Sequence, residues 1–556
     1  MKFTFIALLV ASVVVLILAF PLKTFAQDTL DVPPFIGQDP GLVTTIMGDT
    51  LSNGQPKNVN RVYRLARGEV YYCTGTMELR REVRILANDG PAATKPPVIA
   101  PSILQDGTTA LAPVFRFYKN AFLKNLYITR IRPDTSNPQG DYSQAISING
   151  DSTRIIIRGC IFDGWGSGAI FKGSVFNKIY INDCKFRNML NGGGSWFGGW
   201  AFESGATPGD TVVMVNNTTF NAGSYLFVPN RNITTYSRVE HNTMFTNHVN
   251  PLYAPYMSNA TVRSNIFYGT LAMGQSAAEI AGGWFDWKGA PSSTVSIDTL
   301  PPTLGFPEAN RRVIVSNNVY FWPQAYYDQW HNVFHDTLTP PVWMNARTLG
   351  MYADKTTWPS LGTPANNLNV DPGFNATMTN TVVTNLLAYV RRNRGDATAP
   401  NQHYYMPTGT DLFNVPWPLP ENLAYSNTAL LTAGHDGFPV GDLNWFPTQK
   451  AAWLLTDVKR DDGASALPVK FDLSQNYPNP FNPSTKINYA LGQSGKVSLK
   501  IYNITGQLVE TVLNGVEQAR GSYNVDVNMN NHASGVYFYV LQQGANRLSK
   551  MMMLLK

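Results

Sequence analysis

Ile157-Arg158-Gly159-Cys160-Ile161-Phe162 is followed, 24 residues on, by Ile181-Asn182-Asp183-Cys184-Lys185-Phe186, a second copy of one six-residue unit. The unit reads apolar, any, turn residue, small or polar, any, aromatic or apolar. Further copies are Leu123–Ile128, Val215–Phe220, Val262–Phe267 and Val315–Tyr320, and Val239–Phe245 reads as a looser copy with one extra residue. The first positions are separated by 34, 24, 34, 24, 23 and 53 residues. A basic step of 23–24 residues with occasional insertions fits one turn of a right-handed parallel β-helix. Self-similarity at a fixed period marks a stacked repeat architecture.

Each position of the unit has a physical task. The third holds Asn125, Gly159, Asp183, Asn217, His241, Ser264 and Asn317. Most of these residue types tolerate the left-handed backbone that a sharp bend between two strands needs. The fourth holds Cys160, Cys184, Thr218, Asn242, Asn265 and Asn318. Stacked coils would set these in an internal ladder at about 4.8 Å, where Asn amides hydrogen-bond along the column. The sixth makes an aromatic column of Phe162, Phe186, Phe220, Phe267 and Tyr320. Each coil buries its inner face only against its neighbours, so all share one core. A propeller would show regular hairpin units of about 40–50 residues, and none is seen. Long helical patterns are also hard to find after the first 26 residues.

Upstream, Val62–Leu65, Gly68–Tyr72 and Val83–Leu86 resemble the opening coils of pectate-lyase-like β-helix proteins; downstream, Asp371–Phe374 and Asp436–Trp445 resemble their closing coils. The resemblance spans residues 27–457 in pattern, with little identity. It implies a polysaccharide ligand, bound or cut. β-Elimination in that family uses calcium, Lys or Arg against the uronate carboxylate and an Arg or Lys base; hydrolytic relatives use clustered aspartates. No acidic cluster of either kind stands out here.

The last 86 residues read differently. Residues 458–470 form a small, polar linker, and period-two alternation then recurs in Lys486–Leu491, Val497–Tyr502, Gln507–Val512, Ser522–Val527 and Val536–Leu541. Short alternating runs separated by Gly and Asn predict a small antiparallel, immunoglobulin-like sandwich. Leu473–Ile487, Ile501–Val509, Ala533–Leu541 and the basic end at Lys550 and Lys556 resemble the type A sorting domain of type IX secretion. That resemblance, over 471–556, implies a Gram-negative source, the type IX machinery as partner, and passage to the outer-membrane surface or medium through the periplasm. The domain is then often removed or exchanged for a lipopolysaccharide anchor. The expected fold class is therefore all-β, a right-handed parallel β-helix followed by a small sandwich.

Other features bound the function. Lys2, the uncharged run Phe5–Phe20, Pro21 and Thr24-Phe25-Ala26 read as a signal peptide cleaved after Ala26. No later run is long and apolar enough to span a bilayer. Cleavage removes Lys2 and Lys23, taking the formal charge from +6 to +4, too diffuse for a nucleic-acid partner. Three cysteines do not make a disulfide framework, although Cys160 and Cys184 fall at equivalent positions, which leaves both a bonded pair and two free thiols open. Gly192-Gly193-Gly194 follows no phosphate-loop pattern, so nucleotide binding is not supported and the cofactor stays unknown.

Second positions are expected to point outward: Lys124, Arg158, Asn182, Asn216, Glu240, Arg263 and Ser316, joined by Lys185 from a fifth position. Arg158 and Lys185 are the catalytic candidates of a lyase, with Asn182 and Asn216 as ligand contacts; the competing reading is an ordinary solvated strip. An insertion around 270–345 is rich in aromatics, of which Trp284, Trp287, Trp322, Tyr326 and Trp330 would stack on sugars. They would equally serve to pack the insertion down. Trp196, Phe197 and Trp200 form a smaller candidate. His241 and His248, or His331 and His335, lack a third ligand, so no metal site is expected. Two functions stay open: a non-catalytic surface protein binding polysaccharide or another surface partner, or a polysaccharide lyase or related carbohydrate-active enzyme.

Overall fold

The computed structural model describes residues 28–34, 41–52, 57–58, 61–88, 90–91, 93–102, 113–131, 144–190, 198–205, 208–228, 232–283, 289–400, 404–406, 413–456, 471–473, 475–476, 478–491, 495–518, 521–544 and 546–556. The expected signal peptide at 1–26 and the expected linker at 458–470 lie outside them. Two compact units result, Met1–Thr456 and Asp457–Lys556.

In the first unit the chain winds through three parallel sheets in turn. The first has ten strands, from Thr29–Val32 to Arg312–Ser316, and each six-residue unit begins at a strand end of this sheet. A two-residue bend leads to the second sheet, ten strands from Val70–Cys73 to Leu368–Asn369. The third sheet has seven strands, from Met77–Leu79 to Leu252–Tyr253. The fold is a parallel β-helix. Ile, Val and Phe of all three sheets fill one continuous core, with Ile85, Leu123, Ile157 and Ile181 fully buried.

The left-handed bend is present in the seven coils that carry the unit, at Asn125 (φ 57°), Gly159 (62°), Asp183 (59°), Asn216 (55°), His241 (51°), Ser264 (55°) and Asn317 (56°). One coil departs from the expected register. Asn182 pairs with Val215, and Val215 with Glu240, so Met214 rather than Val215 takes the first position. Two apolar residues precede two asparagines there, and the pattern admits either frame.

The shift corrects both columns. The fourth position is Asn217, not Thr218, and the ladder is more complete than expected. The Nδ2 of Asn217 donates to Oδ1 of Asn242 (3.1 Å), Asn242 to Asn265 (2.9 Å), Asn265 to Asn318 (2.9 Å) and Asn318 to Asn367 (2.9 Å). Each Oδ1 also accepts the backbone N–H of the preceding asparagine, as at Asn242 N to Asn265 (3.0 Å). Cys160 and Cys184 hold the earlier rungs as free, buried thiols. Burial pushes the Cys160 thiol up to about 12, which leaves it unreactive.

The expected aromatic column splits in two. Phe162 and Phe186 stack inside the core at 5.1 Å. Phe220 pairs with Arg187 and Phe245, one place later, and so faces outward. The Val239 copy has no extra residue: Met244 fills the sixth position and Phe245 the seventh. Phe220, Phe245 and Tyr268 stack outside the second sheet at 5.2 and 5.1 Å.

Among the described residues six α-helices accompany the sheets. Helix α1 (Gly41–Gly48) seats Leu42 and Ile46 over the first coils. Helix α2 (Ala277–Gly282) falls between Tyr268 and Arg312 in the chain, and α3 (Gln324–Asp328) and α4 (Ala346–Ala353) between Phe321 and Leu368, so the coil strands Arg312–Ser316 and Val319–Phe321 divide the insertion expected around 270–345. The coils end at Leu368–Asn369, and the described residues of 370–456 run back over the outside with α5 (Ala376–Asn393) and α6 (Pro447–Thr456), so 371–374 and 436–445 are cover rather than closing coils. Helix α5 contradicts the expectation that long helices are absent. Met378, Val382, Leu386 and Val390 recur every fourth residue with Val383 and Leu387 beside them. Polar residues at the other positions dilute the pattern in sequence. The stripe packs in one buried cluster with the outer aromatics Phe220, Phe245 and Tyr268, and each fully buried Leu or Val contributes about 1.5–3 kcal/mol.

The second unit is a sandwich of a three-stranded and a four-stranded antiparallel sheet. Ile487, Leu499, Ile501, Tyr539, Leu541 and Leu554 fill its core.

Candidate functional site

The strip singled out in the sequence lies along the bend between the first and second sheets, and the chain covers it. Arg158 Nε donates to Asp183 Oδ2 at 3.1 Å, and Asp183 also takes the ammonium of Lys450 from α6. Lys185 stands 3.9 Å over the ring of Trp445, and burial lowers its pKa. Asn182 and Asn216 are 4% and 2% exposed. Asn216 is a bend residue whose carbonyl accepts from Asn444 Nδ2 at 2.9 Å. Glu240 is fully buried. Burial opposes its charge, but Arg238 and Arg263 outweigh that and hold its pKa at about 2. The open strip expected at Asn182, Asn216 and Glu240 is thus withdrawn from solvent: residues 433–456 fold over that edge, and Arg238, Thr261 and Arg263 of the coils hold the Glu240 carboxylate.

The aromatic candidates of the insertion are placed just as firmly. Trp322, Tyr326 and Trp330 are 8%, 0% and 1% exposed. Trp322 Nε1 donates to the Thr270 carbonyl and the Tyr326 hydroxyl to that of Gly269, both at 2.8 Å. They share a cluster with α5, and no ring face is left for a sugar. Trp284, Trp287, Trp196 and Phe197 lie outside the described residues. Trp200 is described, and stacks on Phe227 at 4.3 Å.

The histidines regroup. His248 meets Tyr389 edge-on, and His331 binds Asp336 at the surface. His241 instead faces His435 and Asp436 of the cover. Burial, the largest influence on each, is outweighed at Asp436, which His241 and His435 hold well below the usual carboxylate range, and lowers His435 to about 4.

A different surface carries the features of a binding face. On the outer side of the third sheet Glu78, Arg116, Ser147, Phe171, Glu203, Phe227 and Tyr253 stand in register, one per coil. Phe171, Glu203 and Tyr253 are partly open to solvent. Phe227 stacks on Trp200 at 4.3 Å and on Tyr253 at 5.3 Å, so the rings form a row. A Cβ at Gly205 would meet Cζ of Phe171 at 3.0 Å and the Lys172 carbonyl at 2.9 Å, so glycine there gives the Phe171 ring its room. Glu203 sits in the row between Phe171 and Phe227, and burial among them raises its pKa to about 7.

The sequence reading missed this face because its strands carry no turn motif. Phe171, Phe227 and Tyr253 lie 14, 13 and 14 residues beyond Ile157, Met214 and Val239, but Glu203 lies 22 beyond Ile181. The Gly-rich insertion at 190–199 breaks the spacing.

The raised Glu203 pKa has a stability consequence. The folded state binds the proton more tightly than the unfolded chain, so its contribution is complete below about pH 4.5 and is lost as pH rises through about 7. Glu203→Gln is expected to stabilise the chain by about 1–2 kcal/mol at pH 8 and to change little at pH 4. Thermal unfolding at the two pH values checks this; equal shifts at both would contradict it.

Residues 475–554 match the family described as "Secretion system C-terminal sorting domain". The chain therefore ends in a type IX sorting domain, which implies export to the cell surface or the extracellular space and the type IX machinery as partner. Curated proteins gave no match. Among solved structures, an endo-beta-1,4-mannanase from Thermotoga petrophila aligns at 11% identity and a TM-score of 0.13, over 54% of this chain and 48% of that one, about half its length. Among the described residues no helix is long and apolar enough to cross a membrane.

Proposed function

We propose that this exported β-helix binds extracellular polysaccharide along the outer face of its third sheet. The observation that carries the reading is the register row of Phe171, Glu203 and Tyr253, partly open to solvent, with buried Phe227 set between Glu203 and Tyr253 and backed by Trp200 at 4.3 Å. Flat apolar faces beside a carboxyl suit sugar rings, which present C–H faces and hydroxyl edges. The cations that would have served a lyase on the opposite strip, Arg158 and Lys185, are engaged by Asp183 and Trp445.

The test is retention of the purified full chain on a panel of immobilised neutral and anionic polysaccharides. Phe171→Ala or Tyr253→Ala is expected to weaken retention about fivefold, the equivalent of about 1 kcal/mol of stacking, while Arg158→Ala leaves it unchanged. Retention insensitive to both aromatic substitutions would refute the proposed face.

Glu203 favours a second reading, a carbohydrate-active enzyme. A carboxyl with a pKa of about 7 is matched to proton transfer near neutrality. On that reading new reducing ends or unsaturated uronate absorbance appear with the wild-type chain and vanish in Glu203→Gln. Binding without either product leaves the non-catalytic reading standing.

A further inference from the structure

We propose that His241, His435 and Asp436 form a binding site for a divalent transition ion of the zinc class, which clamps the cover to the β-helix. The donor pattern around His241 points there. Its ring is fully buried. Nδ1 lies 3.1 Å from the Pro439 carbonyl, an acceptor only, so the ring proton of the neutral form belongs on Nδ1. Nε2 then presents a lone pair to Asp436 Oδ2 at 3.0 Å. Two acceptors at that distance require a proton or a cation between them.

His435 supplies the third ligand. Its Nδ1 is 2.8 Å from Ser264 Oγ, which fixes the ring and leaves Nε2 available. Ser264 also accepts the His435 backbone N–H at 2.8 Å, so the residue is positioned twice by one coil. Both histidines thus have the outer-partner arrangement that orients metal-binding imidazoles. The three candidate ligand atoms lie within 4.8 Å of one another. A tetrahedral zinc with ligands at 2.0–2.1 Å needs roughly 3.4 Å between them, so the His435 side moves in by roughly an ångström. His435 and Asp436 lie beside the turn at Gly434–Gly437, closer to the surface than His241. Two imidazoles and a carboxylate are a zinc-type donor set, with a fourth position left for water. One ligand comes from a coil and two from the returning chain, so occupancy would tie segments 194 residues apart in sequence.

The purified full chain is dialysed against a chelator, then against buffer with micromolar zinc chloride, and its metal content and thermal midpoint are measured. The expected result is about one zinc retained per chain and a rise in midpoint on loading. His435→Gln is expected to reduce retention at least about tenfold, and Ser264→Ala, which removes only the outer partner, about tenfold or more. Circular dichroism of both variants without metal confirms that they fold. Retention well below one zinc per chain overturns the proposal and leaves an imidazolium–carboxylate pair at His241. Full retention in His435→Gln overturns it equally.

Discussion

Replacing Arg187 with methionine is expected to destabilise the β-helix by about 3–5 kcal/mol at neutral pH. Arg187 has no exposed side-chain surface. Its Nη1 reaches Asp163 Oδ2 at 2.5 Å, while Nε and Nη2 hold the two oxygens of Glu421 at 3.0 and 3.2 Å. Asp163 is 3% and Glu421 1% exposed, so methionine would leave two buried carboxylates without their counter-ion. Burial already draws the Asp163 pKa upward against Arg187 and the Tyr127 hydroxyl. Without the cation Asp163 should titrate higher still. A raised folded pKa gives a contribution present at low pH and lost as pH rises through it, so the variant's deficit should shrink on acidification. Denaturant titrations at pH 7 and pH 4.5 check this. A small deficit independent of pH would mean that the triad holds little of the cover in place.

The second large effect belongs to the ladder. Asn265→Ala removes an oxygen that accepts from both the backbone N–H and the Nδ2 of Asn242, and a donor to Val239 O and Asn318 Oδ1. Each buried group left unpaired costs about 1–3 kcal/mol, so a loss of about 3–5 kcal/mol is expected. Asn367→Ala, at the half-buried end of the column, should cost about 1 kcal/mol. Thermal and denaturant unfolding distinguish the two. Equal losses would show that the amides act as separate hydrogen bonds rather than as a column.

The ladder also shows how much of the fold could be read in the sequence. The bend needs a residue that accepts positive φ, and the rung behind it needs a small or amide side chain; both requirements act within six residues, so they surface as a motif. They revealed the coils and most of the rungs. They did not fix the frame at Met214–Thr219, where Val215 and Asn216 satisfy the pattern one place early or late. Only pairing with Asn182 and Glu240 decides it.

What lay beyond reach was the cover. Whether Asn216 or Glu240 sees solvent depends on residues about 200 positions later, and no local pattern announces that Asn444 or Trp445 will fold there. The same gap separates His241 from His435 and Asp436, and Arg187 from Glu421. The proposed binding face was hidden for a different reason: side chains that align across coils of unequal length share no spacing, as Phe171 and Glu203 illustrate. The sorting domain was the easiest part to recognise, since its motifs are contiguous and in order.

The central claim is that the third sheet, not the edge between the first two, meets polysaccharide. Hydroxyl-radical footprinting of the full chain, with and without the polysaccharide it retains best, tests this residue by residue. The account predicts protection of Phe171 and Tyr253, with Trp445 and Trp453 unchanged. Protection of Trp445 and Trp453, with Phe171 and Tyr253 as reactive as in the free chain, would contradict it.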